Sequence, residues 1–286
     1  MLIDTHCHLD FPEFDADREE VIRRAADAGV TRMITIGTNL QTSQAAVALA
    51  ETHPNIYATV GIHPCEVADT PEDACDRLEE LAKHPKVVAL GECGLDYHHL
   101  PSRRKTDFQN AAQSTGGTPP GTEEALLADA DLKNRQAIFF QEQLDLAVRL
   151  NLNVVIHQRD SWSDTLATLK PYSGRLRGVF HCFSGTPEQA AELLQIGHAV
   201  SFTGIVSFKN ARDLHACVRQ VPAGSFFVET DCPYLSPEPH RGQRCEPAYT
   251  RLVAEKIASL RGLPLEEIAR ETTSAAEKFF RFPAIA

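Results

Sequence analysis

Short apolar runs and amphipathic stretches alternate along almost the whole chain. The runs are "LIDTH", "TRMITIG", "IYATVGIHP", "KVVALGECG", "LNVVIH", "LRGVFHCFSG", "AVSFTG" and "SFFVETD", rich in Val, Ile and Phe with little in–out alternation. Strands buried on both faces read this way, and they belong to parallel sheets covered by helices. Helical stretches lie between them. "DADREEVIRRAADAG" has an Asp before its first turn and Gly29 past its last, and "TPEQAAELLQIG" has Thr ahead of Pro and Gly at its end. "LQTSQAAVALAETH", the region of "EDACDRLEELAKH", "NRQAIFFQEQLDLAVRLN", "SWSDTLATLKPY", Asn210–Arg219, "EPAYTRLVAEKIASLRG" and "LPLEEIARETTSAAEKFFRF" complete the set. Eight strand candidates interleaved with helices over 286 residues predict a single (β/α)8 TIM barrel, one α/β domain spanning residues 1–286. An open doubly wound sheet is the alternative, but no glycine-rich dinucleotide loop follows the first strand. The stretch from about 101 to 133, containing "QNAAQSTGGTPPGTEEALLADAD", is polar and begins rich in Gly and Pro. It reads as a flexible insertion beside the barrel mouth, either a lid or a tolerated surface loop.

The polar residues that punctuate the runs sit at one end of them. The first run ends in His6 and His8, the third in His63, the fourth in Glu92, the fifth in His157, the sixth in His181, and the eighth in Glu229 and Asp231. Strand alternation places His6 and His8 side by side and predicts Asp4 on the same face. Taken alone, His-x-His fits a metal site and a pair of hydrogen-bonded core imidazoles equally well, because a buried imidazole needs a partner of either kind. In a barrel, however, the C-terminal ends of the strands converge on one mouth. So many imidazoles and carboxylates exceed what one tetrahedral zinc needs. They fit two divalent cations about 3.5–4 Å apart with a bridging carboxylate, the arrangement that clamps both oxygens of a phosphoryl displacement. Carboxylates suit Mg2+ or Mn2+ and imidazoles suit Zn2+, which leaves the ion's identity open.

Roles follow from position. Glu92 is expected to bridge the cations, and Asp231 to hold the attacking water and take its proton. His63 has two readings, substrate phosphate binding or a hydrogen bond behind the ligands. Arg159 also has two, a fork for a phosphate oxygen or a strut to Asp160 or Glu92. Cys7, Cys93 and Cys182 each neighbour a proposed ligand, but alternation turns them outward as small apolar packing. Cys232, past its strand end, is less constrained. Without a GxSxG or Cys–His pattern, covalent catalysis is disfavoured.

Composition changes this picture in two respects. The net charge of −11 argues against a broad basic nucleic-acid surface, so a polyanionic substrate would need the local positive focus that two cations supply. Eight cysteines without CxxC pairs, no apolar leader after Asp4 and no ~20-residue apolar span lead us to expect reduced thiols, a cytoplasmic setting and no membrane insertion.

Read in order from residue 2 to about residue 280, "LIDTHCHLDFPEF", "VGIHP", "GECGLDY", "VIHQRD", "HCFSG" and "ETDCPYL" resemble the successive signatures of the TatD family of metal-dependent deoxyribonucleases, within the amidohydrolase superfamily of TIM barrels. The resemblance implies that His6, His8, Glu92 and Asp231 surround one metal, and Glu92, His157 and His181 the second. It also implies hydrolysis of DNA phosphodiesters, often from the 3′ end, with single strands or 3′ ends as substrate. Cys245 in "RCEPAY" stands where relatives commonly carry Asn, while Glu246 and Pro247 match. An amidohydrolase-type deacylase or esterase acting on a small metabolite or aminoacyl ester is the alternative enzyme. A metal-dependent scaffold without catalysis is disfavoured, since it has no need of open coordination positions at a barrel mouth.

Overall fold

Leu2–Cys7 forms β1, and every residue in it is buried. The structure, a computed structural model, describes residues 1–103 and 123–283. Each following strand is parallel to the last: β2 (Val30–Ile36), β3 (Ile56–Val60), β4 (Val87–Asp96), β5 (Asn153–Arg159), β6 (Gly178–Phe180), β7 (Ala199–Phe202) and β8 (Phe226–Val228), in the sheet order β1 to β8. β8 returns to β1 through a parallel bridge between Cys7 and Cys232. Backbone bonds from His8 N to Cys232 O (2.9 Å) and from Asp231 N to His6 O (2.8 Å) complete that seam. The barrel expected from the alternating pattern is therefore present, and the open-sheet alternative is set aside.

The connecting helices among the described residues are α1 (Arg18–Asp27), α2 (Leu40–Thr52), α3 (Ala74–Ala82), α4 (Glu123–Leu150), α5 (Trp162–Leu169), α6 (Pro187–Gln195), α7 (Arg212–Gln220), α8 (Thr250–Arg261) and α9 (Leu265–Phe280). Local chemistry sets their ends. Asn39 with Thr42 and Thr186 with Gln189 form capping boxes, each satisfying two backbone donors that the first turn leaves free. Gly262 ends α8 in the left-handed region, where a missing Cβ removes the clash. None of these helices is long and apolar enough to cross a membrane.

Of the stretch expected to be a flexible insertion, the last third, from Glu123, is the opening of α4, where two glutamates in the first turn precede a run of Ala and Leu. Acidic residues complement the positive end of a helix and Ala and Leu propagate it, so the helix begins well before Asn134. Residues 104–122 lie outside the described residues.

Two apolar layers hold the barrel together. Between strands and helices runs a continuous layer that includes Leu9, Phe14, Met33, Leu78, Phe140, Leu144, Phe202 and Ile257. Inside the barrel, Ile3, Ile34, Tyr57, Val88, Val155, Val179 and Phe227 pack together, and Phe279 and Phe280 of α9 close that end. Apolar filling at the N-terminal ends of the strands leaves the opposite mouth to polar side chains, where barrels of this type keep their chemistry.

Candidate metal centre

β1 and the turn after β8 meet at the seam, and this brings together His6, His8 and Asp231. Asp231 Oδ1 lies 3.4 Å from His6 Nε2 and 3.5 Å from His8 Nε2. His8 Nδ1 stands 3.3 Å from the carbonyl of Ile36, which can only accept, so Nδ1 carries a hydrogen; burial works against a charged ring, and Asp231 beside Nε2 outweighs it and raises the imidazole. On the neighbouring strands, Glu92 Oε1 lies 2.7 Å from His181 Nε2, 2.9 Å from His157 Nδ1 and 3.5 Å from His63 Nε2. Its second oxygen, Oε2, faces His6 Nε2 at 3.4 Å. One carboxylate thus looks both ways, toward the β1–β8 seam and toward β3, β5 and β6. The rings of His6 and His181 stack at 4.1 Å between centroids.

Backbone geometry tightens the mouth. β4 and β5 run in register at Gly94 and His157. They approach so closely that a Cβ on Gly94 would lie 2.0 Å from the His157 carbonyl oxygen. Cys182 and Asp231 are non-glycine residues with φ of 48° and 60°. Left-handed backbone of this kind costs on the order of 1 kcal/mol and clusters at functional sites.

The electrostatics are those of a tightly coupled group. Burial would lower His157, but hydrogen bonds to Asp96 and Glu92 outweigh it and raise the imidazole to about 9. Burial and the adjacent His157 charge push His63 down to about 3. Burial works against ionisation of Glu92 and Asp231, yet the surrounding imidazoles hold both carboxylates below their ordinary range. Both ring nitrogens of His6 and Nδ1 of His181 are buried without a hydrogen-bond partner among the described residues. Orphaned buried nitrogens are costly unless something else accepts their lone pairs. The donor set of imidazole nitrogens and ionised carboxylate oxygens fits divalent cations. Two groups of ligand atoms, His6–His8–Asp231 and His6–Glu92–His181, each lie within 4.8 Å of one another, as does His63–Glu92–His157.

Other expectations meet the structure differently. Asp4 does not face the mouth. A register shift in β1 between Asp4 and Cys7 breaks the alternation, and the Asp4 carboxylate accepts from Thr230 N (3.0 Å), Thr230 Oγ1 (2.6 Å) and His6 N (3.2 Å) instead. Burial raises this carboxyl to about 7. Glu229 sits behind His181, accepting from Cys182 N at 2.7 Å, with His181 Nδ1 3.9 Å away. Arg159 is exposed and makes no ion pair with Asp160 or Glu92; Asp160 is paired with His98 and Arg103. Cys7, Cys93 and Cys232 are buried, whereas Cys182 is only partly buried and lines a cleft beside the centre. Cys245 is buried too.

Three positioning residues carry no signal that a search for ligands would catch. Asp96, the last residue of β4, accepts from His157 Nε2 at 3.1 Å and so orients the ring whose Nδ1 faces Glu92. Gln136 on α4 clasps the Asp96 backbone, accepting from its N–H and donating to its C=O at 3.0 Å each. One heptad on, Gln143 does the same for Ile62, at 2.8 and 3.1 Å, and Ile62 is the residue before His63. The legible cue is a pair of glutamines seven apart on the buried face of a helix, where only apolar residues are expected.

The cleft has a volume of about 740 Å³ and runs outward from His181 past Arg159, Tyr97, Trp162 and Phe183.

A family model described as "TatD related DNase" matches residues 3–281. The "Uncharacterized metal-dependent hydrolase YabD" of Bacillus subtilis (strain 168) is 38% identical over 282 residues, covering 98% of this chain and 99% of its own. The "3'-5' ssDNA/RNA exonuclease TatD" of Erwinia billingiae (strain Eb661) is 32% identical over 290 residues, covering 99% of this chain and all, 100%, of its own. Among solved structures, the TatD homologue YJJV from Escherichia coli K12 superposes with a TM-score of 0.83 at 29% identity, covering 99% of this chain and 98% of that one. With matches that run the length of a common TIM barrel, the chain belongs to the TatD-related DNase family and is a metal-dependent hydrolase acting on ester bonds.

Proposed function

We propose that the protein hydrolyses phosphodiester bonds of single-stranded DNA from the 3′ end at a centre of two divalent cations. The observation that carries this reading is the divided Glu92 carboxylate, with Oε2 3.4 Å from His6 and Oε1 2.7 Å from His181. A carboxylate placed in this way suits a bridge, with His6, His8, Glu92 and Asp231 around one ion and Glu92, His157 and His181 around the other. Bound divalent ions would supply positive charge against the phosphate and acidify a water toward neutrality.

The chain's own groups do the rest. Asp231 is the base: its side chain is 15% exposed against 4% for Glu92, and its neighbours hold it ionised, so it can receive a water proton on a carboxylate oxygen. His63, held neutral, stands where it can donate to a phosphate oxygen. Glu92 would stay committed to the ions, and Asp96 keeps His157 turned inward. The cleft has room for a short length of strand, with Tyr97 and Trp162 as faces on which bases can stack and Arg159 as a phosphate fork. The printed name of the Erwinia relative supports polarity and strandedness.

One observation favours a smaller ester. Among the described residues that line the cleft, Arg159 is the only Lys or Arg, and Asp160 and Asp164 line it as well. That suits an aminoacyl ester or a metabolite acyl group better than it suits a polyanion. A 5′-labelled single-stranded oligonucleotide with Mg2+ or Mn2+ separates the two. A ladder shortening from the 3′ end and abolished by chelator is expected. An intact oligonucleotide with a folded, metal-loaded protein would transfer the assignment to the small ester.

A further inference from the structure

A second set of donors stands beside the centre, and only Asp96 among them, which orients His157, enters the reaction above. Asp96 is its pivot. Its Oδ1 accepts the backbone N–H groups of His98 (2.8 Å) and His99 (2.9 Å), which locks the carboxylate in place. The other oxygen, Oδ2, faces His157 Nε2 at 3.1 Å, His99 Nδ1 at 2.8 Å and Cys65 Sγ at 3.8 Å. Cys65 Sγ is also 3.8 Å from His99 Nδ1. These three atoms, a thiol sulfur, a carboxylate oxygen and an imidazole nitrogen, lie within 4.8 Å of one another.

The triangle has nearly the size a metal needs. Zinc held tetrahedrally by sulfur at about 2.3 Å and by nitrogen and oxygen at about 2.0–2.1 Å separates its ligands by roughly 3.3–3.6 Å. The edges here are 3.8, 3.8 and 2.8 Å. Only the short His99–Asp96 edge has to open, and the His99 side chain, half exposed, is free to move. Cys65 is exposed and leaves a fourth position for water, while Asp96 is buried and fixed. The placement follows from chain order: Cys65 lies two residues past His63 and its N–H donates to His63 Nδ1 at 3.1 Å, and Asp96 lies four residues past Glu92.

We propose that Cys65, Asp96 and His99 form a third cation site, selective for a thiophilic ion such as Zn2+ over Mg2+ or Mn2+. On binding, the Cys65 S–H bond breaks and its proton goes to solvent, His99 gives up the Nδ1 proton it donates to Asp96 and takes the Nε2–H tautomer, and sulfur–metal and nitrogen–metal bonds form. The ion then draws on Asp96 Oδ2, the oxygen that orients His157. Occupancy weakens the hold on a ring of the inner centre and couples the two sites. Partners of this kind are worth 10–100-fold in metal affinity.

Cobalt(II) titration of the full chain tests this without reference to activity, because a cobalt–thiolate bond has a near-ultraviolet charge-transfer band that nitrogen and oxygen ligands do not give. The wild-type protein is expected to develop the band. Cys65→Ser should abolish it, Cys7→Ser should keep it, and Zn2+ bound at equilibrium dialysis should fall by one ion per chain in both Cys65→Ser and His99→Ala. Glu92→Gln, which removes the bridge of the inner centre, should retain the band, so failure of the dinuclear reading and failure of this one are distinguishable. Absence of cobalt uptake, a wild-type protein that binds cobalt without the band, or a band that survives Cys65→Ser overturns the proposal.

Discussion

Replacing Gln143 by leucine removes a buried clasp without touching any ionisable group. The side chain is 0% exposed. Its Oε1 accepts from Ile62 N at 2.8 Å, and its Nε2 donates to Ile62 O at 3.1 Å and to Phe139 O at 3.0 Å. The Phe139 carbonyl sits within the α4 ladder and does not depend on this bond. Gln143→Leu therefore strands two buried backbone groups at Ile62, each costing ~1–3 kcal/mol. The leucine recovers on the order of 1 kcal/mol by burying apolar surface, which leaves a net loss of about 3 kcal/mol. For a chain of this size that corresponds to a melting point roughly 6–12 °C lower. Urea unfolding followed by the fluorescence of Trp162, the single tryptophan of the chain, gives the free energy directly, with circular dichroism as the second probe. A variant within about 0.5 kcal/mol of wild type would refute the reasoning, because solvent or rearranged backbone would then be satisfying Ile62 in place of the clasp.

Two further perturbations bear on stability and on the cleft. His198 is buried immediately before β7 and accepts from Gly178 N at 2.9 Å through Nδ1, and burial pushes its pKa from 6.5 down to about 4. The folded state therefore keeps the ring neutral where the unfolded chain protonates it; the stabilisation is complete above pH 6.5 and is lost as pH falls toward 4. That loss is about 3 kcal/mol. His198→Gln, which keeps an acceptor for Gly178, should flatten the acid limb of a urea-midpoint-against-pH curve by that amount, and an unchanged acid limb would contradict the assignment. At the cleft, Arg159→Ala should raise KM for single-stranded DNA several-fold with kcat little changed, since the exposed guanidinium touches no described ligand. Equal falls in kcat and kcat/KM would place Arg159 in the transition state instead.

The barrel was legible because its strands are buried on both faces, so runs such as "VVAL" in β4 and "NVVI" in β5 stand out from their amphipathic surroundings. The convergence of His6, His8, Glu92, His157, His181 and Asp231 was legible because they lie in or just past the C-terminal halves of five different strands, His6 and His8 sharing β1. What was not legible depended on local register and on polar contacts made by elements far away in sequence. Asp4 obeys alternation in the sequence but not in the fold, because β1 shifts register between Asp4 and Cys7. The start of α4 was hidden behind a Gly- and Pro-rich segment whose character colours a polar but helix-forming stretch from Glu123. Asp96 carries no mark in the sequence that sets it against His157, and Gln136 and Gln143 break an apolar pattern that in fact needs them.

The bridging role of Glu92 is tested most directly by electron paramagnetic resonance of the Mn2+-loaded protein. A hard ion avoids the Cys65 sulfur and should report on the inner centre alone. Two manganese ions sharing the Glu92 carboxylate predict an exchange-coupled spectrum at two ions per chain, collapsing in Glu92→Gln to that of isolated manganese with loss of hydrolysis. A spectrum of isolated ions in the wild-type protein, or a coupled one that persists in Glu92→Gln, would contradict the shared centre.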